Sequence, residues 1–228
     1  VDSKVVEKKT KKPFLRKDFK CECVNIQNLI KEFELLYSLH HPCICQLHAF
    51  HFHENSDVSI LSEFVDFKLK DCLNFSIINN TLKIRIIVEI LHGMIYLHHN
   101  GLVCRNFEID NIMLNSVFHA KINFGFSQFN ECLLKRKSDN ISDVNSSVYS
   151  FGLVLYSIFM GDKNMKCDMK NITNGKFTSV ITECCIELIS KCLLSNPKDR
   201  PSFEEIFNKL AGIDMDENSY FLSDIDLD

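Results

Sequence analysis

The sequence predicts an α+β fold with a small strand-rich part followed by a larger helical part. Strand-like segments concentrate in the first 66 residues, whereas segments after residue 80 mostly repeat apolar residues three and four positions apart. The chain has 228 residues and 46% hydrophobic content, which suits one two-lobed domain with a substantial core. We therefore expect a single domain over 1–228, with a small lobe at 1–65, a larger lobe at 66–212 and an acidic tail at 213–228.

The small lobe is predicted to contain strands and one helix. Residues 4–12 and 13–17 read as two short strands joined by a charged turn. Residues 26–39 carry apolar side chains three and four apart, which predicts a helix. Further strands are predicted at 44–53 and 58–66.

The N-terminal third contains no glycine, since Gly93 is the first in the chain. A backbone that approaches phosphates closely needs glycine for its unusual dihedral angles. Either such a loop lies before Val1 or it is absent, and in both cases the sequence predicts a poor phosphate lid.

Histidine and cysteine crowd into residues 40–53, and both are zinc ligands. The residues are His40, His41, Cys43, Cys45, His48, His51 and His53. Their spacing matches no closed four-ligand pattern, and a strand here would send alternate side chains to opposite faces. A strand is therefore the preferred interpretation, and a zinc site is the alternative.

The larger lobe is predicted to be helical. A helix is predicted to start with residues 69–73, and apolar residues at helical spacing predict further helices at 82–98 and 186–194. Residues 148–160 are apolar enough for a buried helix but too few to span a membrane. Residues 162–178 are polar and predict a surface loop.

The C-terminal residues predict one more helix and then a tail. Ser202 and Glu205 have the spacing of a capping box for a helix that runs to about Leu210. The acidic tail at 213–228 is typical of a solvated, frayed end. A short acidic-hydrophobic partner motif around Tyr220–Leu222 is the alternative.

Composition argues against several classes of protein. The net charge of −4 gives no general reason to expect nucleic-acid binding. No apolar run reaches the roughly 18 residues that span a bilayer, and the start does not resemble a signal peptide. The eleven cysteines are odd in number within a core-rich chain, so reduced thiols are expected. We expect a cytoplasmic protein without a membrane span.

Several motifs in the larger lobe resemble those of protein kinases. Residues 102–114, Leu-Val-Cys-Arg-Asn-Phe-Glu-Ile-Asp-Asn-Ile-Met-Leu, resemble the H-R-D-L-x-x-x-N loop, and 123–125 resemble D-F-G. Ser-Val-Tyr-Ser-Phe-Gly at 147–152 and Pro-Lys-Asp-Arg-Pro-Ser-Phe at 197–203 resemble later kinase signatures. The form of these last two motifs is most similar to the tyrosine-kinase-like (TKL) branch of Ser/Thr kinases. The resemblance covers residues 3–210 and implies the bilobal protein kinase fold.

The resemblance also exposes departures at the chemical positions. Asn106 stands where the loop Asp accepts the substrate proton, and Asn123 stands where the D-F-G Asp binds magnesium. Asn111 keeps the metal-binding Asn and is the one metal candidate, while Glu108 replaces a Lys that meets phosphate. An amide cannot accept the proton and is a poor ligand for a hard cation, and a general base contributes about 10²–10⁴-fold in rate. The resemblance therefore implies that Asn106, Glu108 and Asn123 leave no catalytic group intact.

Nucleotide-binding positions also follow from the resemblance. Lys17 would take the place of the V-A-I-K lysine that contacts phosphates, and Glu32 would be its partner on the following helix. Ser62 would be the gatekeeper, and the hinge backbone of Glu63 and Val65 would meet adenine. Together with Asn111 and Asn123, these residues imply ATP as the candidate cofactor, with weak or no magnesium binding.

The hydrophobic spine that links kinase lobes has candidates at Leu36, Leu47, Cys104 and Phe124. Cys104 stands where the family has His, and it packs as a small hydrophobe. The resemblance therefore implies a preserved scaffold.

The substrate platform is reduced. Asn123 and Ser147 are only 24 positions apart, no A-P-E motif lies between them, and Ser147 replaces an Asp that anchors the catalytic loop. Arg200, which normally pairs with the A-P-E Glu, should find another acceptor or be exposed.

These features predict a pseudokinase that acts as a scaffold or allosteric regulator in intracellular signalling. Its expected protein partner is an active kinase or a signalling complex. Two alternatives remain open. One is a weakly active Ser/Thr kinase in which Glu108 supplies a carboxylate. The other is a switch that binds ATP without catalysis through Lys17 and the hinge.

Overall fold

An antiparallel sheet in the order β1-β2-β4-β3 forms the first part of the fold. The computed structural model describes residues 2–19, 26–53, 57–73, 78–104, 107–123, 134–136, 141–161 and 183–211. The strands are β1 (Asp2–Val6), β2 (Pro13–Phe19), β3 (Leu47–Phe52) and β4 (Val58–Glu63). The predicted pair of strands joined by a charged turn is confirmed, because β1 pairs with β2 along its length.

Helix α1 (Ile26–Ser38) covers one face of this sheet. Phe33, Leu36 and Leu39 repeat at three-residue spacing and are buried. The Phe33 ring stacks on the Phe50 ring of β3, with centroids 4.7 Å apart. The helix predicted from apolar periodicity is thus confirmed, and its apolar stripe faces the sheet.

The register of the strands decides which side chains share the α1 face. Side chains directly opposite each other on paired strands lie on the same face. Phe50 pairs with Ile60, and Ile60 pairs with Lys17. Ser62 lies two residues beyond Ile60 in β4, so it has the same orientation. Lys17 and Ser62 therefore both lie on the face that α1 covers.

The second part of the fold is mostly helical. Its helices are α2 (Leu69–Cys72), α3 (Asn80–His99), α4 (Ile141–Met160), α5 (Glu183–Cys192) and α6 (Phe203–Ala211). Fully buried side chains of α3 such as Ile86 and Ile87 lie in one apolar cluster that also includes Phe33 of α1. The core therefore runs through both parts and joins them.

Short strands lie around the conspicuous motifs, the first before α2 and the others between α3 and α4. They are β5 (Phe67–Lys68), β6 (Leu102–Cys104), β7 (Ile112–Leu114), β8 (Ala120–Ile122) and β9 (Leu134–Arg136). One sheet has the order β5-β7-β8, and β6 pairs with β9.

Two predicted boundaries differ from the structure. Helix α4 begins at Ile141 instead of 148, because its first two turns are polar and conceal the helical period. The strand predicted from residue 44 begins at Leu47, and Ile44 instead forms an isolated parallel bridge with Ile122. That bridge depends on a distant strand, which local pattern cannot indicate.

The capping box of the last helix is confirmed. The Ser202 backbone N–H donates to Glu205 Oε2 at 2.7 Å, and the Glu205 N–H donates to Ser202 Oγ at 3.1 Å. These two bonds satisfy donors that the first turn of α6 leaves without helical partners.

Several composition-based expectations concern the whole chain. Six cysteines of the described residues are buried, namely Cys43, Cys45, Cys72, Cys104, Cys185 and Cys192. Among the described residues, no group of three or more His, Cys, Asp or Glu side chains is arranged to hold a metal ion. A search of the same residues finds no helix with the length and apolar character to cross a membrane. The predicted loop at 162–178 and the tail at 213–228 lie outside the described residues.

At Gly152, α4 lies close to the end of α5. A Cβ atom built at Gly152 would lie 2.7 Å from the Cβ of Cys192 and 3.0 Å from Leu193 Cδ2. Both helices are buried here, so neither can retreat without disturbing its neighbours.

We expect Gly152→Ala to destabilise the fold by about 1–2 kcal/mol net, because overpacking outweighs the gain in helix propensity. Urea unfolding measures the change. Ser146→Ala, on an exposed position of the same helix, serves as the control and should leave the midpoint unchanged or slightly higher. A Gly152→Ala midpoint equal to wild type would show that the α4–α5 contact is not tight.

Candidate active site

The hairpin of β7 and β8 brings two asparagines together at its open end. Asn111 directly precedes β7 and Asn123 directly follows β8, and the strands pair Ile112 with Ile122. The Asn123 backbone N–H donates to the Asn111 carbonyl oxygen at 2.7 Å. The two residues that the sequence singled out as metal-site positions are therefore neighbours, and both present neutral amide side chains.

The turn before β7 engages one of these amides internally. Residues 109–111 form a 3₁₀ turn that begins after Glu108. Asn111 Oδ1 accepts the Glu108 backbone N–H at 2.8 Å, and the Asn111 N–H donates to the Glu108 carbonyl at 2.9 Å. The Asn111 oxygen thus already has a backbone donor. Asn106, the other degenerate position, lies outside the described residues.

An ammonium group from α2 lies against this turn. Lys70 Nζ is 2.7 Å from Asp110 Oδ2. The hydrogen bond to Asp110, and the nearby charges of Asp110, Glu108 and Asp71, raise the pKa of Lys70 above its usual value. The Glu108 carboxylate is exposed, and it shares this ammonium with two other carboxylates. Sequence reasoning missed Lys70, because nothing local marks its partner 40 positions away.

The hinge candidates lie at the end of β4. Ser62 is buried on the α1 face. The Glu63 carboxylate pairs with Lys121 Nζ of β8 at 2.9 Å and accepts the Gln46 N–H at 3.3 Å. Val65 is buried in a small cluster with Cys45 and Met113.

A short segment of the small lobe pairs directly with β8. The Ile122 N–H donates to the Cys43 carbonyl at 2.8 Å, and the Cys45 N–H donates to the Ile122 carbonyl at 2.9 Å. Burial raises the pKa of the Cys43 thiol to about 12, so this cysteine stays protonated and packs as an apolar group. The segment anchors the small lobe one residue before Asn123.

The opposite end of the β7–β8 hairpin is held by charged side chains of α3. Buried Glu89 accepts the Ala120 N–H at 2.6 Å and lies 2.5 Å from His119 Nδ1. Arg85 donates to the carbonyls of Val117 and Phe118. Phe118 has φ of 63°, an uncommon value for a bulky residue. These contacts hold the tight turn and thereby fix the direction of the hairpin.

The remaining sequence-predicted positions are only partly described. Lys17 lies on the α1 face, but the side chain of Glu32 is outside the described residues, so their pairing stays a prediction. Leu36, Leu47 and Cys104 are buried in the common core. Phe124, the fourth spine candidate, lies outside the described residues.

The segment between Asn123 and Ser147 is short in sequence, and the structure describes 134–136 and 141–147 of it. Strand β9 pairs with β6 directly before the loop, with Arg136 opposite Leu102. Helix α4 then begins at Ile141, so only four residues separate the two elements. Ser147 Oγ donates to the Val144 carbonyl of its own helix at 2.6 Å.

Arg200 has found other acceptors, as predicted. Its Nε donates to the Leu194 carbonyl at 2.8 Å and its Nη1 donates to the Asn145 carbonyl at 2.7 Å. The guanidinium also lies 4.9 Å from the Tyr149 ring centroid, which is a cation–π contact. The arginine therefore ties the start of α4 to the turn after α5.

The Lys121–Glu63 pair predicts a measurable stability effect. Only 17% of the Lys121 side chain and 27% of the Glu63 side chain are exposed. We expect Lys121→Met to destabilise the fold by about 1–2 kcal/mol, because a partly desolvated carboxylate loses its counterion. Chemical denaturation provides the measurement.

Lys191→Met is the matched control. Lys191 pairs with Glu187 at 2.8 Å, but both side chains are about half exposed and Glu187 keeps Lys209 at 2.7 Å. This variant should unfold like wild type. Equal losses in the two variants would contradict a special role for the β8–hinge pair.

His41 predicts a pH dependence. Burial, and then the nearby charges of His92 and Lys121, lower the pKa of His41. Its Nδ1 accepts the Cys43 N–H at 3.1 Å, which requires the neutral ring. The unfolded chain binds the proton more readily, so the contribution of His41 to stability is lost as pH falls below about 6.5.

We expect the melting temperature to fall between pH 7.5 and 5.5, with a smaller fall in His41→Asn, whose oxygen accepts the same N–H without titrating. Half-buried His92, whose pKa is also lowered, remains in both proteins, so the difference between them reports on His41. Identical slopes would show that His41 does not contribute.

Comparison with known proteins gives consistent results. A family model described as "Protein tyrosine and serine/threonine kinase" matches residues 4–210. Receptor-interacting serine/threonine-protein kinase 1 of Homo sapiens is 31% identical over 172 residues, which covers 57% of this chain and 26% of that protein. Serine/threonine-protein kinase cds1 of Schizosaccharomyces pombe is 27% identical over 213 residues, with 77% and 45% coverage. The chain spans less than half the length of these relatives.

Proposed function

The chain belongs to the protein tyrosine and serine/threonine kinase family, and within that family we propose that it is a pseudokinase of the tyrosine-kinase-like branch. In this proposal it is deficient in phosphoryl transfer, and it acts as a scaffold or allosteric regulator through a protein partner. The bilobal α+β kinase fold supplies the platform for that role.

One observation carries the proposal. Asn111 and Asn123 lie side by side at the open end of the β7–β8 hairpin, joined by a 2.7 Å backbone bond. A kinase holds magnesium here with an Asp carboxylate and an Asn side chain. The bound magnesium then neutralises charge on the phosphates. Two neutral amides at this position are expected to bind a metal ion only weakly. The amide oxygen of one of them, Asn111, already accepts a hydrogen bond from a backbone N–H.

The short segment between Asn123 and Ser147 gives independent support. Only 24 positions separate the two residues, which leaves little chain to build a platform for a protein substrate. Arg200 contacts backbone carbonyls and Tyr149. Loss of substrate docking would lower activity even if a base were restored, since positioning supplies much of the rate in phosphoryl transfer.

ATP binding without catalysis is the second candidate function. Lys17 and Ser62 share the face of the small-lobe sheet that α1 covers, as phosphate and gatekeeper contacts would require. Lys17 is partly exposed. Binding of ATP in the absence of magnesium would be consistent with this switch, because the amides would not contribute to it.

A calorimetric titration of ATP with and without magnesium, followed by a transfer assay on the same sample, tests the proposal. We expect no metal-dependent phosphoryl transfer and no gain in ATP affinity from magnesium. Metal-dependent labelling of a peptide, abolished in Glu108→Gln, would overturn the pseudokinase proposal and favour a weak kinase.

Asn123→Asp should restore a magnesium-dependent gain in ATP affinity of about tenfold if ATP binds, because it returns one carboxylate to the metal position. Asn208→Asp, on the exposed side of α6, adds the same charge far from the site and is the control. An ATP-induced thermal shift that disappears in Lys17→Ala would identify the switch. If ATP shifts the melting temperature of neither the wild-type chain nor Lys17→Ala, the ATP switch is excluded and the scaffold role remains.

A further inference from the structure

The turn between β1 and β2 concentrates positive charge. Residues 2–18 carry seven Lys or Arg against three Asp or Glu, a formal charge of +4, whereas the whole chain has −4. The other residues therefore carry −8. The lysines at the turn are all exposed, namely Lys4, Lys8, Lys9, Lys11 and Lys12.

The turn is ordered by its own hydrogen bonds. The Glu7 N–H donates to the Lys12 carbonyl and the Lys11 N–H donates to the Glu7 carbonyl, both at 3.0 Å. Thr10 Oγ1 donates to the Glu7 carboxylate, the one acidic side chain between residues 7 and 12. Lys11 has φ of 62°, a left-handed conformation that costs free energy for a residue with a Cβ. The lysines are thus presented from a built turn, which lowers the ordering cost of binding.

Apolar surface adjoins these charges. Val6 is 53% exposed at the end of β1. Lys12 Nζ lies 5.5 Å from the centroid of the Phe14 ring, and Phe14 in turn contacts the His48 ring edge-on. A ligand here would meet ammonium groups together with apolar side chains, which fits a peptide containing both kinds of partner.

We propose that the β1–β2 turn docks an acidic, partly apolar segment of a partner protein. This inference rests on the proposed function, since it supplies the partner chemistry of the scaffold. A membrane plane or an extended nucleic acid would also meet the rest of the chain, whose formal charge is negative, −2 over 19–212 and −6 over 213–228, and opposes its approach. A short peptide can reach the turn alone, and its carboxylates can pair with several lysines at once.

A fluorescein-labelled synthetic peptide rich in Glu with two Leu residues is the probe, and its Gln counterpart is the neutral comparison. Fluorescence anisotropy with the full 228-residue chain at low salt measures the affinity. We expect binding of the Glu peptide alone, weaker at higher salt because exposed charges are screened.

The triple variant Lys8→Glu, Lys9→Glu, Lys12→Glu should weaken binding about tenfold or more, from the loss of three exposed charge pairs. The control changes Lys31, Lys68 and Lys198 to Glu at exposed positions elsewhere. Three Lys→Glu changes lower the net charge by six, from −4 to −10, in each triple variant. The two variants therefore have the same net charge. The control should lose no more than twofold.

Four results would overturn the docking proposal. They are no binding of the Glu peptide at low salt, equal losses in the two triple variants, tighter turn-dependent binding of single-stranded RNA or phosphatidylserine vesicles, or a tenfold gain on deleting 213–228. The last would show that the chain's own acidic tail occupies the turn. All four leave the ATP and transfer assays untouched, so failure here is distinct from failure of the pseudokinase proposal.

Discussion

Backbone hydrogen bonds at the end of β8 hold the candidate site together. Ile122 bonds to Cys43 and Cys45 of the small lobe, and Asn123 bonds to Asn111 of the larger one. All of these bonds join main-chain groups, so they do not depend on which side chains the residues carry. The geometry of the site can therefore persist when a carboxylate is replaced by an amide. Position and chemistry are separable here.

Charged side chains near the site stabilise the fold by joining its elements. Glu63 and Lys121 join the hinge candidate to β8, and Glu89 holds the far turn of the hairpin. A buried or half-buried charge is tolerated only when it has partners, and each of these carboxylates has several. The charges that remain around Asn111 and Asn123 therefore stabilise the lobe arrangement, and the two amides themselves add no charge to a bound nucleotide.

Local pattern predicted most elements of the fold, and the resemblance to kinase motifs singled out the two amides. Helix α1, the β1–β2 pair and the capping box at Ser202 follow from periodicity and short spacing, which act within a few residues. The contacts of Lys70, Lys121 and Glu89 join residues 40, 58 and 31 positions apart. Their side chains are ordinary in sequence, and only the tertiary fold gives them partners. The start of α4 was missed for a related reason, since its polar turns carry no apolar stripe.

Stability and chemical competence also separate in energetic terms. Domains are stable by only about 5–15 kcal/mol, so a change that overpacks the core, as at Gly152, or removes a half-buried counterion, as at Lys121, threatens the fold. Asn111 and Asn123 lie at an edge, half-buried, and their main-chain bonds are independent of their amides. Replacing a carboxylate there removes charge without opening a cavity. A kinase fold can thus lose the groups needed for phosphoryl transfer while its surfaces, including the lysine-rich β1–β2 turn, keep their structure.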